Sequence, residues 1–494
     1  MEREATGPRG VPFFGNVLEA WRDPIGLMMR GLRDHGDLVR FRFGPYRYYM
    51  VNDPDAIKHV LVDNHKTYQK SRNYKALKLL LGDGLLTSEG EFWRRQRKLA
   101  QPAFHRERLA AFADTMVAYT DAMLTRWAAH PGASTSMDVH DEMMRLTFRI
   151  VGKTLFSTDV EGDADVVGPA LSVATHFTED YAQAVIPTPL WIPTPANVRF
   201  RRAKRALDAI VFRIIDERRK GASAAGDLLS MLMAVTDEET GERMDDRQLR
   251  DEVMTLVLAG HETTANALSW TFMLLSQHPD VERRLHAEVA AALGDRAPRL
   301  EDLPKLTYCA NVVSEALRLY PPAWAFERQA IADDTILGCR VPKGSMVGIS
   351  PYVVHRHPAH WDNPLGFDPD RFTPARSEGR PRYAYLPFGG GPRMCIGNAF
   401  ALMEAQLVVA RVVQRYRVDL LPGHPVELDP VVTLRPKNGI HVTLTQQHSG
   451  PAGAPSNGED PTLPREAPAP PSPAPVRSTR PVSPGPGEPA RSLR

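Results

Sequence analysis

Phe388-Gly389-Gly390-Gly391-Pro392-Arg393-Met394-Cys395-Ile396-Gly397 sets one cysteine in a glycine-rich turn, directly before a strongly apolar helical pattern. Glycines let the backbone take positive φ values and approach a flat ligand closely, and Pro392 stiffens the turn. Between Asn398 and Tyr416, Phe400, Met403, Leu407 and Val408 recur at helical spacing, as do Val409, Val412 and Val413. Cys395 therefore stands at or just before a helix N-terminus, where the dipole and nearby N–H groups favour an anionic sulfur. A phosphate loop would need Gly-Lys-Ser/Thr at the helix start, and a dinucleotide turn a third glycine where Met394 stands. Local sequence leaves two readings level: a thiolate ligand to iron, or a buried structural thiol.

The 494 residues suffice for a large core, and Lys+Arg 61 against Asp+Glu 59 gives no global pull toward nucleic acid. Cys309, Cys339 and Cys395 lie far apart, with no Cys-x-x-Cys pair for zinc or an iron–sulfur cluster. That usage suits a reducing cytoplasm. The first ten residues carry charge and turn formers, so we expect no signal core and no membrane span. No internal repeat is evident.

Residues 8–20 alternate Pro/Gly with apolar side chains, as a segment lying over a core would. Residues 37–43 and 46–51 around Gly44-Pro45 read as a hairpin, and Asp53-Pro54 opens a short helix. The leucine-rich stretch 71–88, with Gly82 and Gly84, reads equally as a mobile apolar lid or as plain core. On the next helical pattern Trp93 and Arg97 are four apart and share a face. Together they could hold a buried carboxylate, although a solvated basic face is the favoured local reading. Residues 106–160 and 165–235 are mostly helical in pattern, interrupted by prolines around Trp191. Arg199 to Arg205 open a basic helix that could touch a membrane surface, with a solvated face the favoured reading.

From Asp245 to His278 there is no proline, and two apolar runs flank the polar island His261-Glu262-Thr263-Thr264. Such a helix is buried in protein. A zinc-protease helix would need a second histidine at 265, where Ala stands. Glu262 buried there must be paired or handle protons. Gly260 costs about 1 kcal/mol in a helix interior unless something flat packs on it or the helix opens. Glu315 and Arg318 can pair at i, i+3; as a surface pair that contributes ~0.2–0.5 kcal/mol. Residues 330–349 and 426–445 read as strands, and 355–361 and 367–372 as loops. From about residue 450 the chain is rich in Pro, Ala, Ser and Gly and has no aromatic residue, so 448–494 is expected to be a disordered tail after a 1–447 domain.

These pieces in this order resemble the cytochrome P450 family over about residues 8–447. The cysteine stretch fits Phe-Gly-x-Gly-x-Arg-x-Cys-x-Gly at every fixed position. Ala259-Gly-His-Glu-Thr-Thr264 fits the family's oxygen-activating helix, Glu315-x-x-Arg318 its Glu-x-x-Arg, and Arg371 resembles the third member of that cluster. Trp93-x-x-x-Arg97 fits the propionate-binding helix. The resemblance implies a mainly α fold with a smaller β region, with haem b between the oxygen-activating helix and the cysteine-ligand helix. It implies that Cys395 ligates iron, with Phe388, Gly389, Gly397 and Ala259 around the haem. Trp93, Arg97, Arg328 and Arg393 would hold its propionates. Thr263 and Glu262 would be an alcohol–acid pair handling protons. Leu80, Leu86, Phe177, Ala259, Ala323 and Phe326 are the implied pocket residues.

The implied reaction is insertion of one atom of O2 into a lipophilic substrate. The peroxide-using members carry Arg at the position of Thr263, so an electron-fed enzyme is expected. About 47 residues follow residue 447, too few for a fused reductase when even a small domain runs ~50–200 residues. A separate ferredoxin or flavodoxin with its NAD(P)H reductase is therefore expected, docking on Arg94, Arg95 and Lys98. The Gly-Gly-Gly-Pro-Arg form of the loop tilts the expected substrate toward fatty acids, with steroids, terpenoids and macrocycles open. The alternatives are a haem-thiolate sensor or carrier, or a member catalysing dehydration or isomerisation. A monomer is expected.

Overall fold

The computed structural model describes residues 3–129, 136–184, 187–220, 227–234 and 244–447. By its internal contacts the chain divides into 1–449 and 450–494; the expected disordered tail lies outside the described residues.

The Asp246–Gln277 helix is the axis of the first unit. Asp245 caps it by accepting from the Gln248 N–H at 2.7 Å. It ends at His278 because Pro279 opens the next helix, Pro279–Leu293. The Val139–Phe156, Thr307–Leu319 and Asn398–Arg415 helices pack around it in one large core. The helix runs unbroken through Gly260. A Cβ there would lie 3.0 Å from Val151 Cγ2 on the Val139–Phe156 helix. Close helix–helix contact, not a local opening, is what the glycine permits.

A five-stranded sheet has the order Leu38–Phe43, Tyr46–Val51, Met346–Ile349, Phe326–Ala330, Tyr68–Lys70. Only the Tyr46–Val51/Met346–Ile349 pair is parallel. The hairpin expected at 37–51 is present, and so are the strands expected at 330–349 and 426–445. The Tyr416–Leu420 strand was not expected; it follows the cysteine helix at once and pairs with His441–Gln446.

One open reading is decided, for plain core at 71–88, and two local expectations are corrected. Residues 71–88 are not a mobile lid: Tyr74–Leu81 is a helix, with Leu77, Leu80 and Leu81 turned into the core. Its C-terminal turn is pinned. The Asp83 and Leu85 N–H groups donate to Asp251 and Glu252 at 2.9 and 3.0 Å, and Arg250 donates to Leu80 O at 2.8 Å. Residues 8–20 do not bury their apolar side chains: Val11, Phe13, Phe14 and Leu18 are exposed, because this stretch contacts the hairpin through backbone.

Glu315 and Arg318 are not a surface pair, since both side chains are 0% exposed. Arg318 donates Nε to Glu315 Oε2 at 2.6 Å and Nη2 to Oε1 at 2.8 Å, and Arg371 Nε donates to Oε1 at 3.0 Å. The remaining Arg318 donors reach the carbonyls of His355, Pro364 and Gly366. These bonds tie the Thr307–Leu319 helix to the 355–371 loops that lead to the cysteine turn.

Candidate functional site

The cysteine turn is built by glycines with different duties. Gly389 and Gly391 have φ of +69° and +66°; a Cβ on Gly391 would sit 1.9 Å from the Leu61 carbonyl oxygen. Gly390, expected to share the positive φ, is extended at −163°. It must be small because Tyr383 Cε1 lies 2.5 Å from where its Cβ would be. The turn closes with Cys395 N–H donating to Phe388 O at 3.0 Å, three residues before the Asn398–Arg415 helix. The Cys395 side chain is reached by solvent yet lies deep among protein atoms, as a residue lining a cleft does. Those surroundings push its thiol up, while the Gly397 N–H and the Arg97 charge pull it back toward thiolate. Cys309 and Cys339 are buried.

The Asp246–Gln277 helix carries a second part of the candidate site. Between Leu249 and Leu275 every residue is buried except Ala259, Gly260 and Thr263. They sit at i, i+1 and i+4, on one face. The Thr263 hydroxyl donates to the Ala259 carbonyl at 2.5 Å, a back-bond that keeps the side chain against its own helix.

Glu262 is turned away from that face. Its Oε1 accepts from the Thr433 hydroxyl at 2.5 Å and lies 3.9 Å from Arg435 Nη1, while Oε2 has no partner. Asn266 Nδ2 donates to the same Thr433 oxygen at 3.2 Å. Arg435 continues to Asp429 at 3.1 Å, and Asp429 lies 3.2 Å from Nε2 of His176, which is exposed. The hydrogen bond with Asp429 holds the His176 pKa up. Successive helical residues point ~100° apart, so the expected alcohol–acid pair is two neighbours on different faces, with no direct bond. Thr433, Arg435, Asp429 and His176 carry no local signal that ties them to Glu262 in the sequence. His261 packs on Phe148, ring centroids 5.3 Å apart; burial pulls its pKa down to about 3, so it is a neutral core residue.

The cations converge at the other edge. Trp93 and Arg97 lie on the Gly90–Ala100 helix. Arg97 Nη1 donates to Met394 O at 2.8 Å. The Arg393 guanidinium lies 3.8 Å from the centre of the Trp93 ring and donates to Ser88 O at 2.9 Å and Glu89 Oε2 at 2.5 Å. Sheet register sets Arg328 opposite Lys70, a like-charge pairing that destabilises a sheet unless an anion intervenes. Burial, then repulsion by Arg328 and Arg393, pulls Lys70 well down. Burial likewise pulls Arg393 down to about 10, with Glu89 opposing and Arg328 reinforcing. Lys70 Nζ sits 4.2 Å over the Tyr74 ring. Lys70 and Tyr74 were not singled out in the sequence. The Tyr68–Lys70 strand was not expected, and Tyr74 entered only as part of the apolar stretch 71–88.

This donor set fits haem. Arg328, Arg393 and Lys70 repel one another with Glu89 the opposing charge, Arg97 bonds the carbonyl of Met394 beside Arg393, and two propionates would relieve the repulsion. One thiol lines a cleft in a turn that tolerates no Cβ. A helix elsewhere sealed opens at Ala259, Gly260 and Thr263. Among the described residues no cluster of three His, Cys, Asp or Glu could hold a bare metal ion, and no helix is long and apolar enough to cross a membrane.

The implied pocket residues divide. Ala259 and Ala323 are exposed, and Leu86 and Phe326 are partly exposed. Phe177 is half-buried and stacks on Phe200 across two helices, centroids 4.3 Å apart at 17°. Leu80 is 0% exposed and is a core residue, which corrects its assignment to the pocket: the helical period of 74–81 turns it inward.

Comparison with known proteins agrees with this geometry. Residues 6–443 match the family described as Cytochrome P450. Cyclooctatin synthase of Streptomyces melanosporofaciens is 42% identical over 437 residues, covering 87% of this chain and 94% of the relative. Cyclooctat-9-en-7-ol 5-monooxygenase of the same organism is 38% identical, covering 85% and 90%. Pentalenene oxygenase of Streptomyces avermitilis is 36% identical, covering 90% and 98%. A match across nearly the whole first unit, with the motif residues gathered as described, means that this chain belongs to the cytochrome P450 family and is a monooxygenase.

Proposed function

We propose that this monooxygenase hydroxylates a ring-containing terpenoid, with haem b ligated by Cys395 and electrons supplied by a separate ferredoxin or flavodoxin and its NAD(P)H reductase. The observation that carries the substrate class is the similarity, over 85–90% of this chain, to relatives named for cyclooctat-9-en-7-ol and pentalenene. It replaces the tilt toward fatty acids, which rested on one loop. The small, exposed Ala259 on the open face of its helix supports it, because a bulky ring skeleton needs width where a chain needs length. Net, the substrate C–H compound, O2, two electrons and two protons give the hydroxylated product and one water.

When bound, thiolate-ligated haem supplies activation of oxygen and cleavage of the O–O bond. The chain's own residues do the rest. Arg97, Arg328 and Arg393, with Lys70, would hold the propionates by charge-assisted bonds, and Trp93 would support Arg393 from beneath. The Gly397 N–H stabilises the negative sulfur. Thr263 presents a hydroxyl on the open face of its helix, and Glu262 stores a carboxylate one residue away in reach of solvent through Arg435 and His176. Exposed Arg94 and Lys98 on the Gly90–Ala100 helix suit an acidic electron donor.

The test is turnover with surrogate redox partners and O2, using cyclic terpene hydrocarbons and alcohols beside fatty acids, with product analysis by mass spectrometry. Oxygenated terpenoid formed in proportion to NAD(P)H consumed is expected. Binding without product would favour a sensor or carrier, and product without added oxygen would favour dehydration or isomerisation. A Cys395→Ser variant should lose the thiolate-type spectrum of the reduced carbon-monoxide complex; retention would overturn the ligand assignment.

A further inference from the structure

Among the described residues most large apolar side chains are buried, but a cluster near the N-terminus is not. Phe13 is 89% exposed, Trp21 62%, Leu18 54% and Phe14 50%. Phe13 forms the apex of a tight turn in which the Val11 N–H donates to Gly15 O and the Gly15 N–H to Val11 O, at 2.9 and 2.8 Å. Its φ is +63°, a conformation that a bulky residue adopts only where surrounding structure imposes it.

The imposing structure is present. The Asn16 N–H donates to Arg42 O at 2.7 Å and the Gly44 N–H to Phe14 O at 3.1 Å, which ties the turn to the 38–51 hairpin. A Cβ on Gly10 would lie 2.3 Å from Gly15 C, and one on Gly15 2.0 Å from Arg42 O. The backbones touch, so the aromatic rings are pushed outward on a rigid base. Leu18 and Trp21 stand i, i+3 on the adjoining Val17–Arg22 helix.

Charge selects the occupant. Between residues 5 and 30 the only acids are Glu19 and Asp23, and Arg30 bonds both, at 2.8 and 3.3 Å. Arg9, Arg22, Arg42 and Arg47 are exposed on the same stretch and the hairpin beneath it, and none forms an ion pair among the described residues. Exposed Trp and Phe ringed by arginine is the chemistry of the headgroup zone of an anionic bilayer. We propose that the Val11–Gly15 turn, with Leu18 and Trp21, docks this enzyme peripherally on an anionic lipid surface. Docking of that kind would bring it to the phase in which a lipophilic substrate dissolves.

The test is co-sedimentation of the haem-loaded full chain with vesicles of phosphatidylcholine alone or of equal parts phosphatidylcholine and phosphatidylglycerol. Binding to the anionic vesicles that weakens with salt is expected. Phe13→Ser/Trp21→Ser should lower partitioning at least about tenfold. Arg22→Gln/Arg47→Gln should lower it about tenfold on anionic vesicles only. Both variants should keep the wild-type haem spectrum, which checks folding. No wild-type binding to anionic vesicles overturns the proposal, as does undiminished binding by the aromatic double variant. A concentration-dependent dimer lost in that variant, without vesicle binding, assigns the face to a second copy instead.

Discussion

Thr433 donates its hydroxyl to Glu262 across 171 residues of sequence, at 2.5 Å, and Thr263 takes no part in that bond. The acid beside the open helix face is thus held from behind. Thr433→Val removes the donor and leaves a buried carboxylate oxygen unpaired, at a cost of about 1–3 kcal/mol in stability. If Thr433 positions the proton-handling acid, the fraction of electrons ending in product should also fall, with the reduced carbon-monoxide spectrum unchanged. Wild-type coupling in this variant would mean that Thr433 is structural only.

Arg318 and Arg371 share one buried carboxylate, Glu315. Truncating one member of such a network leaves an uncompensated charge in the core, a loss of about 3–5 kcal/mol. Arg318→Met should therefore lower the urea midpoint sharply or yield no soluble protein. Arg371→Lys should be milder but still destabilising, since an ammonium cannot reproduce the fork. Denaturation curves within about 0.5 kcal/mol of wild type would count against the network as a support of the cysteine loop.

Gly260 and Val151 form a size-matched contact. Gly260→Ala gains about 1 kcal/mol of helix propensity but forces a methyl to 3.0 Å from Val151 Cγ2. Overpacking of that kind costs about 1–3 kcal/mol, so the single variant should be neutral to destabilised. Adding Val151→Ala should relieve the clash, and a double-mutant cycle should show favourable coupling.

His355 is locked neutral. The Leu386 N–H donates to its Nε2 at 2.9 Å, which leaves Nδ1 to donate to Arg318 O at 3.1 Å. Burial, then the nearby Arg318 charge, pulls its pKa down to about 3. The unfolded chain takes up a proton near pH 6.5 while the folded chain does not. The group's contribution is thus full above pH 6.5 and is lost as pH falls from there toward 3. The stability difference between wild type and His355→Gln should shrink by about 1.4 kcal/mol per pH unit in that window. A difference independent of pH would show that the imidazole titrates normally.

Much of the site could be read from the chain because it is written in local rules. The glycine turn before an apolar helix located Cys395, i, i+4 spacing put Trp93 beside Arg97, and a proline-free run located the oxygen-side helix. Two errors of degree came from the same source. A Glu-x-x-Arg pair looks identical on a surface or in a core until Arg371, Pro364 and Gly366 close around it. A leucine-rich stretch with two glycines looks mobile until Arg250, Asp251 and Glu252 pin its ends.

Resemblance to the family supplied the cations Arg97, Arg328 and Arg393, while the sequence by itself determined the 37–51 hairpin, the buried central helix and the thiol in its glycine turn. These follow from side-chain periodicity and backbone freedom, which act over a few residues. Tertiary structure alone decided the rest. It turned Glu262 away from Thr263 toward Thr433 and Arg435, and brought Lys70 against Arg328 through strand pairing. It also left Phe13 and Trp21 in solvent by packing their segment backbone to backbone. Each depends on contacts between distant segments, whose geometry no local spacing encodes.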